Sequence, residues 1–302
     1  MKLRALFFLF LCFFSSVFSF DADAATRVER VLNVGGVERE YIAHIPENVP
    51  SNVTLPVIVV FHPAIATAKG MEGITKLHDA PSASKYIVVY PNGHKRTWNV
   101  GYCCGKAKQD NVNDIAFYRA ILKDLKTIHD IEPRVYLTGF SNGALLSYHL
   151  MCHATDSVAA IAPFGATYNV NEMACPLKQP VPVMHFHGSL DEMAPVHGGT
   201  KKTLGGQTLR HYSAQEVIEY MVKNNQCRGE KTTTKFMSAC EHHYNCNQGA
   251  EVMFCLIDGL GHVWPGNDVG LIGGWVFGEE RPEINGSEDV VKFFDYIRAL
   301  TK

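Results

Sequence analysis

Residues 135–146 read Val-Tyr-Leu-Thr-Gly-Phe-Ser-Asn-Gly-Ala-Leu-Leu. A serine stands between glycines two residues to either side, where a buried β-type run meets a helix-forming one. Gly139-x-Ser141-x-Gly143 suits a strand-to-helix turn too tight for side chains at the flanking positions. Such a turn exposes the serine hydroxyl and aims helix N-terminal N–H groups at a developing oxyanion. The chemistry this would serve is nucleophilic attack on an acyl carbon.

A serine needs a base, and the base needs an orienting acid. Downstream, "SLDEMAP" places Asp191 in the loop after one apolar run, and "DGLGHVWPG" places His262 after the next. The order Ser141, Asp191, His262 is the order of nucleophile, acid and base that follows such an elbow. Glu192 and Asp258 compete for the acid position. The oxyanion would take the N–H of Asn142 and one from "FHPAIATAKGME". Pro63 has no N–H to give, which leaves Ala64 as the candidate.

These residues need a frame. Residues 30–33 and 38–45 flank Gly35-Gly36 as a hairpin. Six continuous apolar runs follow, at 55–63, 86–92, 135–138, 159–165, 181–188 and 251–257, each suited to a strand buried on both faces. Helical periodicity fills most of the gaps: after Asp114, read as an N-cap; from Asn142 to Cys152; after the capping box Ser213-Ala214-Gln215-Glu216; and after Ser287, read as the cap of a last helix. The expectation is an α/β fold of the α/β-hydrolase type, a mostly parallel eight-stranded sheet with helices on both faces. Asp191 and His262 would then share the carboxyl edge of that sheet with Ser141.

Of 302 residues, 46% are hydrophobic and the formal net charge is −2. That balance gives no reason to expect nucleic acid or an anionic membrane as partner. Lys2 and Arg4 precede an apolar block, Ala5 to Phe14, and then smaller, more polar residues, the order of a secretory signal. Residues 1–24 are read as that signal, with cleavage after Ala24 or alternatively Ser19, and 25–302 as one catalytic domain, secreted or periplasmic and off the membrane after cleavage. Eight cysteines remain beyond Cys12, an even number that fits disulfides in an exported chain. Two bridges are expected within Cys227, Cys240, Cys246 and Cys255. A metal site with His242 and His243 is the rival, but the Cys-x5-Cys spacing matches no zinc motif. No metal or organic cofactor is expected.

The segments "FHPAIATAKGME", "VVYPNG", "WNVGYCCG", "VNDIAFYRAILKDL", "GFSNGALLSYHLMC", "HFHGSLDEMAPVHGG" and "LGHVWPG" resemble, in this order, the secreted polyhydroxybutyrate depolymerase-like esterases, a superfamily that includes feruloyl and acetylxylan esterases. The resemblance spans about residues 35 to 298. It implies a serine esterase with Ser141, Asp191 and His262 as triad, and points to Trp98, Asn99 and Trp264 as walls of the substrate cleft. It departs at His62-Pro63-Ala64-Ile65, where relatives carry His-Gly and a glycine-rich loop. Cys103-Cys104 is expected to supply one or two ordinary disulfide halves, a bridge between adjacent cysteines being strained.

The implied substrate is a small or oligomeric ester. The first reading is a depolymerase-like enzyme acting on short polyester oligomers, since no linker or surface-binding domain for granules is visible. The alternative is a feruloyl or acetylxylan esterase on plant cell-wall glycans. From another class comes a secreted binding protein on an inactive scaffold, a reading that a missing triad member would favour, and none is missing.

Overall fold

The computed structural model describes residues 25–50, 52–169, 175, 177–202, 208–229, 231–234, 240–266 and 278–301. The expected signal segment lies outside the described residues. Strands β1 (Ala25–Val34) and β2 (Val37–Pro46) form the antiparallel hairpin, turned by Gly35 and Gly36 with φ of 60° and 83°. Two successive positive φ angles give the turn whose twist matches paired strands, and glycine adopts them without strain.

β3 (Val57–Phe61) leads through helix α1 (Ala68–Thr75) to β4 (Ile87–Pro91). Then come α2 (Gly105–Gln109), α3 (Asp114–Leu125), β5 (Val135–Phe140), α4 (Asn142–His153), β6 (Val158–Phe164) and β7 (Val183–Gly188). A small separate hairpin, β8 (Gly199–Lys202) with β9 (Thr208–His211), precedes α5 (Ala214–Asn224). The chain closes with β10 (Thr232–Thr234), β11 (Cys240–His243), β12 (Val252–Ile257) and α6 (Gly286–Leu300).

The main sheet runs β1-β2-β4-β3-β5-β6-β7-β12-β11-β10. Its middle six strands are mutually parallel and are the six apolar runs of the sequence. Alternation along β3 shows why these runs are apolar throughout. Val57, Val59 and Phe61 enter a core shared with α3, α4 and α5, while Ile58 and Val60 enter another shared with α1 and α6. Ten strands rather than eight form the sheet, because β10 and β11 extend it antiparallel beyond β12. These are short and polar, so neither carries an apolar pattern.

Two helix starts differ from expectation. Asn113, not Asp114, caps α3 by accepting from Ala116 N–H at 2.8 Å. Asp114 is buried and accepts from Arg39 Nη2 and Asn99 N–H, each at 2.7 Å. Asn285 caps α6, and Ser287 lies inside the protein, donating to the Thr75 carbonyl at 2.5 Å. In both cases a buried acceptor or donor elsewhere in the fold claims the side chain that local spacing assigned to the cap.

The cysteines pair as Cys103–Cys104, Cys152–Cys175, Cys227–Cys246 and Cys240–Cys255. The last two are two bridges within that set of four, as expected, with a pairing the sequence left open, whereas Cys103 and Cys104 bond each other. Among the described residues no helix is long and apolar enough to cross a membrane.

Candidate active site

Ser141 joins β5 to α4 with φ 54° and ψ −118°. A non-glycine residue held there carries strain of about 1–3 kcal/mol and persists only where its surroundings impose it. They do so here: Ser141 N–H donates to the Phe164 carbonyl at the end of β6 (2.9 Å), and its own carbonyl accepts from Leu145 N–H (3.0 Å). The side chain makes no capping bond to its helix and is half-buried. A Cβ on Gly139 would lie 2.6 Å from the Gly143 carbonyl, and one on Gly143 would lie 2.7 Å from the His62 carbonyl. Both glycines are therefore demanded by backbone crowding.

Asp191 and His262 follow β7 and β12, neighbours in the sheet. His262 Nδ1 donates to Asp191 Oδ2 at 2.7 Å, and Asp191 Oδ1 accepts from Met193 and Ala194 N–H at 3.0 and 2.8 Å. Both side chains are buried. Burial alone would raise the Asp191 pKa, but the charge and hydrogen bond of His262 and the backbone donor outweigh it and hold the carboxyl below its usual value. With Nδ1 committed to the carboxylate, His262 keeps Nε2 for proton transfer. Gly165, at φ 59°, packs where a side chain would lie 3.4 Å from Asp191 Oδ2 and 3.5 Å from His262 Nδ1. Of the rival acids, Glu192 is exposed and Asp258 accepts from Ser189 Oγ, so Asp191 is the carboxylate bonded to His262.

Asn142 is the first residue of α4, and its N–H therefore has no carbonyl within the helix to bond. Its side-chain amide is paired with the backbone of Trp98, accepting at 2.8 Å and donating at 3.3 Å. Ala64 lies in the turn after β3, half-buried beside Ile65, whose φ is 68°. Beneath that turn is His62, fully buried, with Nδ1 donating to the Pro63 carbonyl (2.8 Å) and Nε2 accepting from Gly93 N–H (2.9 Å). Burial pushes its pKa down to about 4, which keeps the imidazole neutral and the loop anchored. In the sequence His62 stands out only through the His62-Pro63-Ala64-Ile65 departure.

Trp98 and Trp264, expected as walls of the substrate cleft, are both enclosed. Trp98 is completely buried, packs against His62 and donates Nε1–H to the His62 carbonyl at 2.8 Å. Trp264 is 2% exposed, lies against Phe164 and donates to Ser287 Oγ at 3.1 Å. Asn99 spends its side chain on the Val112 carbonyl and Gly101 N–H. Large aromatics with an internal acceptor for their N–H stabilise the frame best when enclosed, so these three support the loops around the site.

Neither histidine of the cysteine-rich segment joins, among the described residues, a set of three potential ligands: His242 bonds Glu251 and His243 bonds Glu241, at 2.6 and 2.8 Å. Among the described residues, His44, Glu72 and His78 bring three potential ligand atoms within 4.8 Å of one another. However, Arg27 occupies the Glu72 carboxylate, and the two imidazoles stack with centroids 3.7 Å apart. Stacked rings cannot both hold one ion in their planes.

The family described as Phospholipase/Carboxylesterase matches residues 111–244, which include Ser141 and Asp191. Feruloyl esterase B of Piromyces equi is 28% identical over 233 residues, 74% of this chain and 42% of that protein. A bifunctional acetylxylan esterase/xylanase of Neocallimastix patriciarum is 26% identical over 167 residues, 52% of this chain and 22% of its own. The chain thus spans less than half the length of either relative. The sinapinate-bound feruloyl esterase module from Clostridium thermocellum shares the fold, with a TM-score of 0.56 at 14% identity over 89% of this chain and 88% of that one. The fold is that of the α/β-hydrolases, and in sequence the chain is similar to feruloyl and acetylxylan esterases.

Proposed function

We propose that the protein is an exported serine esterase that removes feruloyl or acetyl groups from plant cell-wall glycans. The observation that carries the enzymatic reading is the buried 2.7 Å bond between His262 and Asp191, set at the same sheet edge as the strained Ser141 elbow. Feruloyl and acetylxylan esterases among its relatives favour glycan esters over short polyester oligomers. Four disulfides fit an oxidising compartment.

In this mechanism Ser141 Oγ attacks the ester carbonyl while His262 Nε2 takes its proton. The tetrahedral oxyanion is held by the N–H groups of Asn142 and Ala64, and the alcohol leaves with the proton from His262. Asp191 fixes the imidazole tautomer and stabilises its cation. Water then repeats the path on the acyl-serine, and every step uses the chain's own groups.

The test is hydrolysis of methyl ferulate, acetylated xylan, p-nitrophenyl acetate and a 3-hydroxybutyrate oligomer by wild type and Ser141→Ala. We expect release of ferulate or acetate by wild type and a loss of order 10⁶ in kcat on substitution. Preferred cleavage of the hydroxybutyrate oligomer would replace the glycan reading with the polyester one. Wild type no faster than Ser141→Ala on all four would sink the enzymatic reading.

A further inference from the structure

Two histidines stand on one face of β7, at positions 185 and 187, in a strand whose other residues are apolar or glycine. Both are enclosed, with exposures of 0% and 1%, and so is Tyr148 on α4. The acyl-transfer steps use none of the three. Buried polar groups persist where they are hydrogen-bonded, and these are bonded to one another. Tyr148 Oη lies 2.7 Å from His185 Nδ1, His185 Nε2 lies 3.0 Å from His187 Nδ1, and His187 Nε2 lies 2.6 Å from the Ala194 carbonyl.

Only one set of protons satisfies this chain. The Ala194 carbonyl can only accept, so His187 carries its proton on Nε2 and accepts at Nδ1. His185 then carries its proton on Nε2, and its Nδ1 accepts from the Tyr148 hydroxyl. Burial lowers the pKa of both imidazoles and raises that of the phenol, which keeps all three neutral. The donors point one way, from α4 toward the loop that carries Asp191.

At that loop Ala194 is held from both sides. Its carbonyl accepts from His187, and its N–H donates to Asp191 Oδ1. His187 Nε2 is also 3.6 Å from Asp191 Oδ2, the oxygen bonded to His262. At the far end, Tyr148 belongs to the helix that begins immediately after Ser141. We infer that Tyr148, His185 and His187 are positioning residues, a buried chain that fixes the Asp191 carboxylate against His262 and ties the acid's loop to the nucleophile's helix. This inference rests on the esterase reading of the triad. Besides His185, the titratable groups facing His187 are Asp191, His262 and His211, the last of which also feels Lys201.

The test compares Tyr148→Phe, His187→Gln and His187→Leu in the full-length protein with p-nitrophenyl acetate as substrate. His187→Leu removes the donor to Ala194 and should lower kcat about 10- to 100-fold, with KM nearly unchanged, because a small misplacement of a catalytic group costs on that scale. The acid limb of its kcat/KM profile should move to lower pH, since a mispositioned carboxylate stabilises the His262 cation less. His187→Gln keeps an N–H for Ala194 and should recover most of the rate. Tyr148→Phe removes one hydroxyl without changing shape and should shift rate and profile in the same direction by less.

A folded His187→Leu protein with wild-type kcat and pH profile would overturn the inference, as would His187→Gln impaired as badly as His187→Leu. Where His187→Leu does not fold, Tyr148→Phe decides, and an unchanged rate and profile overturns it. The downfield proton resonance of the His262 Nδ1–H···Asp191 bond gives a readout that needs no turnover. It should broaden or shift in His187→Leu, and much less in His187→Gln, even on a Ser141→Ala background, which separates failure of the chain from failure of the esterase reading.

Discussion

Phe140 and His262 lie ring against ring, their centroids 4.7 Å apart. The residue immediately before Ser141 is therefore the surface on which the imidazole rests. The contact matters because the three candidate residues come from three loops separated by tens of residues. Local geometry at one of them must be transmitted to the others. Phe140 does this on one side, Gly165 leaves the room for it, and Asp191 closes the other.

Replacing the orienting acid tests this arrangement directly. Asp191→Asn keeps the size of the side chain and its buried place, but an amide cannot stabilise the imidazolium and can hold the wrong tautomer of His262. A fall of about 10⁴ in kcat is expected, the scale seen when the acid of such a triad is amidated. The unfolding temperature should change far less than the rate. Ester turnover beside thermal unfolding of the same preparation checks both parts, and a rate within tenfold of wild type would remove Asp191 from the triad.

The buried histidines make stability fall with acidity. Burial pushes His62 and His149 down to about 4 from an ordinary 6.5. A depressed pKa in the folded state means that the unfolded chain binds the proton first. The contribution is thus fully present above pH 6.5 and lost as pH falls toward 4. For a fully enclosed imidazole such as His62 the slope reaches about 1.4 kcal/mol per pH unit. Asp289 works the other way, since burial raises it to about 7 and favours the folded state as it takes up its proton below that pH. Urea unfolding between pH 7 and 4.5 should show a net decline, and His62→Gln should flatten it while lowering stability at pH 7. A slope unchanged by that substitution would refute the assignment.

What the sequence made legible was whatever carried its own local pattern. Six apolar runs became the parallel centre of the sheet because strands buried on both faces need no alternation. The capping box at Ser213 formed as its spacing demands, with Glu216 accepting from Ser213 N–H at 2.7 Å. The strands β10 and β11 were not legible, being short, polar and dependent on β12 for pairing. Nor was the enclosure of Trp98 and Trp264: an aromatic residue in a loop motif reads the same whether it faces ligand or core, and only the fold supplies the acceptors that claim their indole N–H groups. His185 and His187 did leave a signal, since two imidazoles two residues apart in an otherwise apolar strand must share one buried face. Their partners, Tyr148 and Ala194, are set by tertiary packing and no spacing rule reaches them.

The elbow glycines offer the sharpest contrast between crowded and open positions. At Gly143 an added methyl group would meet backbone, 2.7 Å from the His62 carbonyl and closer still to that of Phe61. Backbone cannot step aside as a flexible side chain can, so α4 would have to move away from β3. Gly143→Ala should therefore destabilise the fold by about 1–3 kcal/mol, the usual cost of forced overpacking. It should also lower kcat by roughly 100-fold, because the shift displaces the N–H groups that face the oxyanion. Gly73, inside α1, has nothing within 4 Å of its missing methyl group and is exposed. Gly73→Ala should stabilise by roughly 0.5–1 kcal/mol through backbone entropy alone and leave the rate untouched. Urea midpoints and ester turnover for the two variants side by side test the argument. Equal effects at the two positions would mean that the elbow's glycines are not held by crowding against β3.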